Sequence, residues 1–202
     1  MPGNLSFDEL KAAVAAGEID TVIVAGIDMQ GRLMGKRLTA DFFVRSGHAE
    51  THCCNYLLAT DMEMHTVSGY ASTSWAAGYG DYALRPDMAT MRRIPWLEKT
   101  ALVLADIMDH HGHGDIAHSP RAILKRQIAR LDALGMRAMM ATELEFFLFD
   151  DSYETLHDRG YTGLKTLGKY NEDYHIFQTT KEEDVMRAIR NGLNGAGIPV
   201  EG

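Results

Sequence analysis

The run Ala101-Leu102-Val103-Leu104-Ala105-Asp106-Ile107 is almost wholly apolar and too short for a typical buried helix, so it suits a strand in the interior of a sheet. Such a strand needs neighbours, and the residues before it offer several. Thr21-Val22-Ile23-Val24-Ala25-Gly26-Ile27 is short and β-branched, and Asp28-Met29-Gln30-Gly31 separates it from Arg32-Leu33-Met34-Gly35-Lys36-Arg37 in the manner of a hairpin turn. Asp81 to Leu84 reads as a further strand that runs into an Arg85-Pro86-Asp87 turn. Ser6 and Glu9 have the spacing of a reciprocal capping box, with Leu5 and Leu10 placed as a hydrophobic staple. They predict a helix from Phe7 to Ala16, stopped by Gly17. Between His48 and Gly80 no periodicity is sustained, which predicts one long loop. The first part of the chain thus reads as a small mixed sheet with one helix.

Asp109-His110-His111-Gly112-His113-Gly114-Asp115 is glycine-containing and polar, and it marks the best domain boundary, dividing the chain into 1–112 and 113–202. Beyond it, Ser119 as N-cap, Pro120 as first helical residue and Gly135 as stop predict a helix over Pro120 to Leu134. Its stripe Leu124, Ile128 and Leu131 is expected to face a core. A strand Thr142 to Phe149 follows, then an irregular stretch from Asp150 to Asp173. A helix from Lys181 to Asn194 carries Val185, Ile189 and Leu193 on one face. The fold class expected from this order is α+β.

Charge and composition narrow the function. Twenty Lys and Arg against 28 Asp and Glu give a net charge of -8, which argues against a nucleic-acid backbone or an anionic membrane surface as partner. The two cysteines, Cys53 and Cys54, are adjacent and poorly placed to pair, which favours a reducing, cytoplasmic compartment. No basic and apolar leader opens the sequence, and no stretch approaches ~18 consecutive apolar residues.

Within Thr142-Glu143-Leu144-Glu145-Phe146-Phe147-Leu148-Phe149, residues two apart on a strand share a face. At roughly 3.3 Å rise per residue the Glu143 and Glu145 carboxylates would stand about 6 to 7 Å apart, enough to serve two neighbouring cations. Carboxylate oxygens suit Mg²⁺ or Mn²⁺, which need further ligands from water, protein or phosphate. The same alternation also describes an ordinary amphipathic strand with a solvated acidic side, and the pattern alone leaves both readings open.

Ser119-Pro120-Arg121 followed by Glu143-Leu144-Glu145-Phe146-Phe147-Leu148-Phe149 resembles the glutamine synthetase family, in which a Ser-Pro-Arg helix start precedes a Glu-x-Glu-Phe-x-Leu-Phe strand. Asp28-Met29-Gln30-Gly31-Arg32 is similar to the hairpin of that family's N-terminal β-grasp domain. Gly80-Asp81-Tyr82 and Arg85-Pro86-Asp87 resemble the segment that closes it, and Gly197-Ile198-Pro199-Val200-Glu201 the approach to the next metal strand. The resemblance implies a β-grasp-like domain over 1–112 and the beginning of a catalytic domain over 113–202. It implies that Glu143 and Glu145 hold divalent cations, with ATP as cosubstrate. The reaction implied joins ammonia to the γ-carboxylate of glutamate through a γ-glutamyl phosphate; the alternatives are ligation of another amine or polyamine, and a non-catalytic assembly module.

In the family an aspartate of the long loop reaches a neighbouring subunit's site in a stacked-ring homo-oligomer. Asp61 and Asp81 are the candidates here, each equally readable as a solvated or turn-capping residue. The family's other carboxylate ligands and phosphate-contacting arginines lie beyond residue 202, so the resemblance implies a front portion that is inactive alone. His110, His111 and His113 with Asp109 and Asp115 could be transition-metal ligands, but read better as a solvated linker. Cys53 and Cys54 read as small packing residues, and Trp75, Trp96 and Tyr174 as packing aromatics.

Overall fold

A computed structural model describes residues 2–201. Two compact units are present, Met1–Ala138 with Asn191–Gly202, and Met139–Arg190.

The larger unit opens with helix α1, Phe7–Ala15. Ser6 Oγ accepts from the Glu9 N–H while the Glu9 carboxylate accepts from the Ser6 N–H at 2.7 Å, so the capping box closes as the spacing predicts. Leu5 and Leu10 are both buried, and Gly17 ends the helix at φ +70°, a conformation that costs a glycine little. Strands β1 (Thr21–Ile27) and β2 (Leu33–Thr39) pair antiparallel across the Asp28–Gly31 turn. A short helix α2, Ala40–Phe42, continues as one wide turn through Gly47. Next come β3 (Thr51–Cys54), β4 (Asp81–Pro86), the two-residue β5 (Arg92–Arg93) and β6 (Thr100–Asp109). The sheet order is β2-β1-β6-β4-β3 with β5 also on β6, and β1 runs parallel to β6.

The apolar run Ala101–Ile107 is therefore in the central strand, β6. Its Ala101, Val103, Ala105 and Ile107 side chains join Val22, Val24, Leu84, Leu10, Phe43 and Met91 in one buried cluster. Its other face meets helix α3, Pro120–Ala133, which begins at the expected Ser119. Ser119 occupies the N-cap position, but its hydroxyl makes no capping bond and is buried without a partner among the described residues.

Several expectations are corrected. The His48–Gly80 stretch is not loop throughout: β3 pairs with β4, from Thr51 opposite Leu84 to Cys54 opposite Asp81. Four residues are too few to show a period, and their register comes from β4. The Asp109–Asp115 stretch is a closed turn and not a free linker. The Asp109 N–H donates to the Gly114 carbonyl at 2.8 Å, the His113 N–H to the Asp109 carbonyl at 2.9 Å, and the Ile116 N–H back to Ile107 at 3.2 Å. Leu124 and Ile128 are exposed, because the part of α3 that meets the sheet is its first turn, through buried Ala122 and the half-buried Arg121. Trp96 is exposed, and Trp75 is 82% exposed, so neither is a buried anchor.

In Met139–Arg190 the Tyr153–Asp158 helix, α4, forms where irregular chain was expected. Ser152 Oγ accepts from the Thr155 N–H at 3.1 Å and Leu156 is buried, but six residues carry too little periodicity to be seen in sequence. A short α5, Ile176–Thr179, precedes α6, Glu183–Gly195. Val185 and Ile189 of α6 are exposed, and Tyr174, expected to pack, is fully exposed. Across Asn191–Val200, buried Ala196 accepts at its carbonyl from Arg92, and Gly195 accepts from Asn4 Nδ2 at 3.0 Å.

Candidate functional site

The start of α3 is fixed by charge. Arg121 Nε donates to Asp106 Oδ1 at 2.8 Å, its Nη2 to Asp87, and Lys125 Nζ to Asp106 Oδ2 at 2.6 Å. Burial of Asp106 works against its charge, yet hydrogen bonds and attraction from Lys125 and Arg121 outweigh it and hold the carboxyl below its ordinary value. Ser119-Pro120-Arg121 and Arg85-Pro86-Asp87, separate motifs in sequence, are thus one ion-paired junction, with Asp106 of β6 as the third member. Sequence reasoning missed the junction because nothing local marks Arg121 as a partner of residues 15 and 34 positions away.

After α3 the chain runs through Met139 to Leu148 without regular hydrogen-bonded structure. The expected strand Thr142–Phe149 does not form as such: only its end pairs, with Phe149 bridged to Thr166 and the Leu167 N–H donating to the Leu148 carbonyl at 3.1 Å. A strand needs a neighbour along its whole edge, and none lies beside residues 142–147 among the described residues. Leu144 and Phe147, placed on opposite faces by the alternation, are both more than four-fifths exposed. Glu143 and Glu145 are exposed and in no ion pair among the described residues, so their carboxylates are free. No group of three or more His, Cys, Asp or Glu among the described residues is arranged to hold a metal ion. As oxygen donors the two glutamates fit Mg²⁺ or Mn²⁺, as two members of a larger ligand set.

The two loop aspartates differ. Asp61 closes a tight hairpin: its Oδ1 accepts from the Glu63 and His65 N–H groups at 2.9 Å each. The His65 amide is the main cause of a carboxyl held below the ordinary range. Asp81 opens β4, is exposed, and its carboxylate has no ion-pair partner among the described residues.

The histidine cluster is more connected than its sequence suggested. Glu50 lies between His52 Nε2 at 3.0 Å and His113 Nδ1 at 3.3 Å, and His52 meets the His110 ring edge-on at 4.6 Å. Both cysteines are free, and burial pushes the Cys53 thiol up to about 12, which leaves it inert as a nucleophile.

Comparison with known proteins bears on the segment that carries both glutamates. The glutamine synthetase catalytic domain matches residues 117–202. A gamma-glutamylethanolamide synthetase of Streptomyces coelicolor is 50% identical over 199 residues, covering 98% of this chain and 43% of its own length. The chain belongs to the glutamine synthetase family. A glutamate–isopropylamine ligase of a Pseudomonas species is 33% identical, over 91% of this chain and 40% of its own length. A type-1 glutamine synthetase of Dictyostelium discoideum is 26% identical, over 90% and 34%. The chain spans less than half the length of these family members. Both glutamates and the Ser119–Arg121 junction fall inside the matched catalytic stretch. No described helix is long and apolar enough to cross a membrane.

Proposed function

We propose that this chain is part of an ATP-dependent ligase that joins an amine to the γ-carboxylate of glutamate. The observation that carries the proposal is the 50% identity, along nearly the whole chain, to a relative named for making γ-glutamylethanolamide. The isopropylamine ligase points the same way, so an organic amine is favoured over ammonia as the nucleophile. Glu143 and Glu145 are the residues of this chain that would hold Mg²⁺ or Mn²⁺. Such ions neutralise charge on a transferring phosphoryl group and keep donor and acceptor in line. What the chain itself supplies is an accessible pair of carboxylates downstream of a helix anchored by Arg121. Asp81 is the better candidate for an amine-facing group reaching a neighbouring subunit in a homo-oligomer, since the Asp61 carboxylate is already engaged in its own hairpin.

The sheet is proposed to be of the β-grasp kind, within a domain over 1–112, followed by the start of the catalytic domain over 113–202. The parallel central pair β1 and β6, the hairpin on one side, and the helical turn between β2 and β3 support it. The family match beginning at residue 117 supports the boundary.

The test uses the longer protein that contains this chain, supplied with ATP, Mg²⁺, glutamate and a panel including ethanolamine, isopropylamine and ammonia. Phosphate release with formation of a γ-glutamyl amide of the expected mass, fastest with an organic amine, is the expected result. Phosphate release no higher than the amine-free control for every amine would end the proposal. A clear preference for ammonia would return the reading to glutamine synthesis.

A further inference from the structure

The Ala59–Gly80 stretch is long, yet it is held at two points by side chains from elsewhere in the fold. The first is the β1–β2 turn. Asp28 is buried, and its carboxylate accepts from the Gln30 N–H at 3.0 Å, the Arg32 N–H at 2.8 Å and Arg32 Nε at 2.7 Å. With Nε committed to Asp28, the two remaining nitrogens of the guanidinium point outward to the loop. Nη1 donates to the Met62 carbonyl at 2.8 Å and Nη2 to the Asp61 carbonyl at 3.0 Å, while Gln30 Nε2 donates to the Thr60 carbonyl at 2.8 Å. Three consecutive loop carbonyls are therefore gripped by one turn. The second point is Asn55, whose side-chain Oδ1 accepts from Thr73 Oγ1 at 2.6 Å and whose backbone N–H donates to the Gly80 carbonyl at 2.9 Å.

Beside the second point stands an aromatic ladder: Tyr56, just before the loop, meets Tyr79 at 6.2 Å, and Tyr79 meets Trp75 at 5.1 Å, each edge-on. Trp75 at its end is held by a ring on one side and exposed on the other. An extended loop has few contacts of its own to fix such a tip, so its order depends on its anchors.

We propose that Arg32 is a positioning residue for this loop, a rigid fork that spans the buried Asp28 carboxylate and the Asp61 and Met62 carbonyls and thereby sets where the loop hairpin sits. The geometry requires arginine. A lysine ammonium is a single point on a flexible stem and cannot hold Asp28 and two loop carbonyls in one plane. The inference stands on the geometry of this chain and is independent of the ligase reading, except for the last readout below.

The test is hydrogen–deuterium exchange on Arg32→Ala, Arg32→Lys and Gln30→Ala. In the loop hairpin the Asp61, Met64 and Val67 amides are hydrogen-bonded to His65, Asp61 and Ala59. Their exchange should rise about ten-fold or more in Arg32→Ala, while the amides of β1 and β6 keep their protection. Arg32→Lys should not restore it, and Gln30→Ala should loosen the loop less than Arg32→Ala does. In a Trp96→Phe background, the fluorescence anisotropy of Trp75 should fall in Arg32→Ala. Unchanged loop exchange in Arg32→Ala, or full rescue by lysine, overturns the proposal; so does equal loss of protection in β1 and β6 in all three variants, which would mark a general stability role. In the longer enzyme, a raised KM for the amine with an unchanged KM for ATP would extend the role to the proposed site. Absence of any ligase activity there would count against the ligase reading and leave the exchange result standing.

Discussion

β6 and the segment Thr142–Phe149 are both apolar-rich runs long enough to cross a small sheet, but their backbones are treated differently. β6 has β1 on one side, β4 and β5 on the other, and its inward side chains are buried. Among the described residues Thr142–Phe149 pairs only at its last two positions, and it exposes Leu144 and Phe147. Alternation and β propensity describe a surface that could be half-buried; they do not supply the partner whose N–H and C=O groups complete the ladder. The family members matched here are more than twice the length of this chain, so there is ample sequence in them to provide such a partner.

The widest test of this contrast is a matched pair of truncations. Leu84→Ala empties a fully buried site on β4 and should cost about 2–5 kcal/mol. Leu144→Ala removes a side chain that already meets solvent and should change stability by less than about 0.5 kcal/mol. Urea unfolding followed by circular dichroism measures both. Equal costs would break the contrast and mean that Leu144 is covered in solution.

A second test concerns how α3 is held. Arg121→Ala leaves Asp106 and Asp87 without their shared partner at a half-buried junction and should cost about 2 kcal/mol at neutral pH. The Asp106 carboxyl is held below its ordinary value, so its contribution is complete above the unfolded-state pKa of about 3.9 and is lost as the pH falls through the lower folded-state value. Unfolding midpoints measured from pH 6 to pH 2 should therefore fall less steeply in Arg121→Ala than in the parent chain. Parallel curves would show that the ion pair does not stabilise the junction.

What could be read in sequence was the part decided by near neighbours. The capping box at Ser6 and Glu9, the Asp28–Gly31 turn and the apolar run of β6 each rest on residues within a few positions, and each forms. The family resemblance was legible for the same reason, in short ordered motifs around Ser119 and Glu143. The features missed are non-local or too short. β3 takes its register from β4, and Arg32 and Arg121 act on residues about 30 positions away. The stripe Leu124, Ile128 and Leu131 of α3 is expected to face a core, yet Leu124 and Ile128 are exposed, because periodicity reveals a face and not what lies against it.

Smaller effects sharpen the comparison at its edges. Ser6→Ala removes the hydroxyl that accepts from the Glu9 amide and should cost about 1 kcal/mol, read as a lowered urea midpoint with an unchanged slope. The smallest effect is expected at the glutamates themselves. Glu143→Ala and Glu145→Ala alter exposed side chains outside any ion pair among the described residues, so each should move the stability of this chain by less than about 0.5 kcal/mol. If the longer protein is the ligase proposed above, the same substitutions should abolish its Mg²⁺-dependent phosphate release while its unfolding midpoint in the absence of Mg²⁺ stays within the same margin. Ligands are selected for a cation and contribute little to the fold without it, whereas structural residues contribute with or without metal. A large metal-free destabilisation by either substitution would assign Glu143 or Glu145 to the packing of the segment and remove it from the proposed metal set.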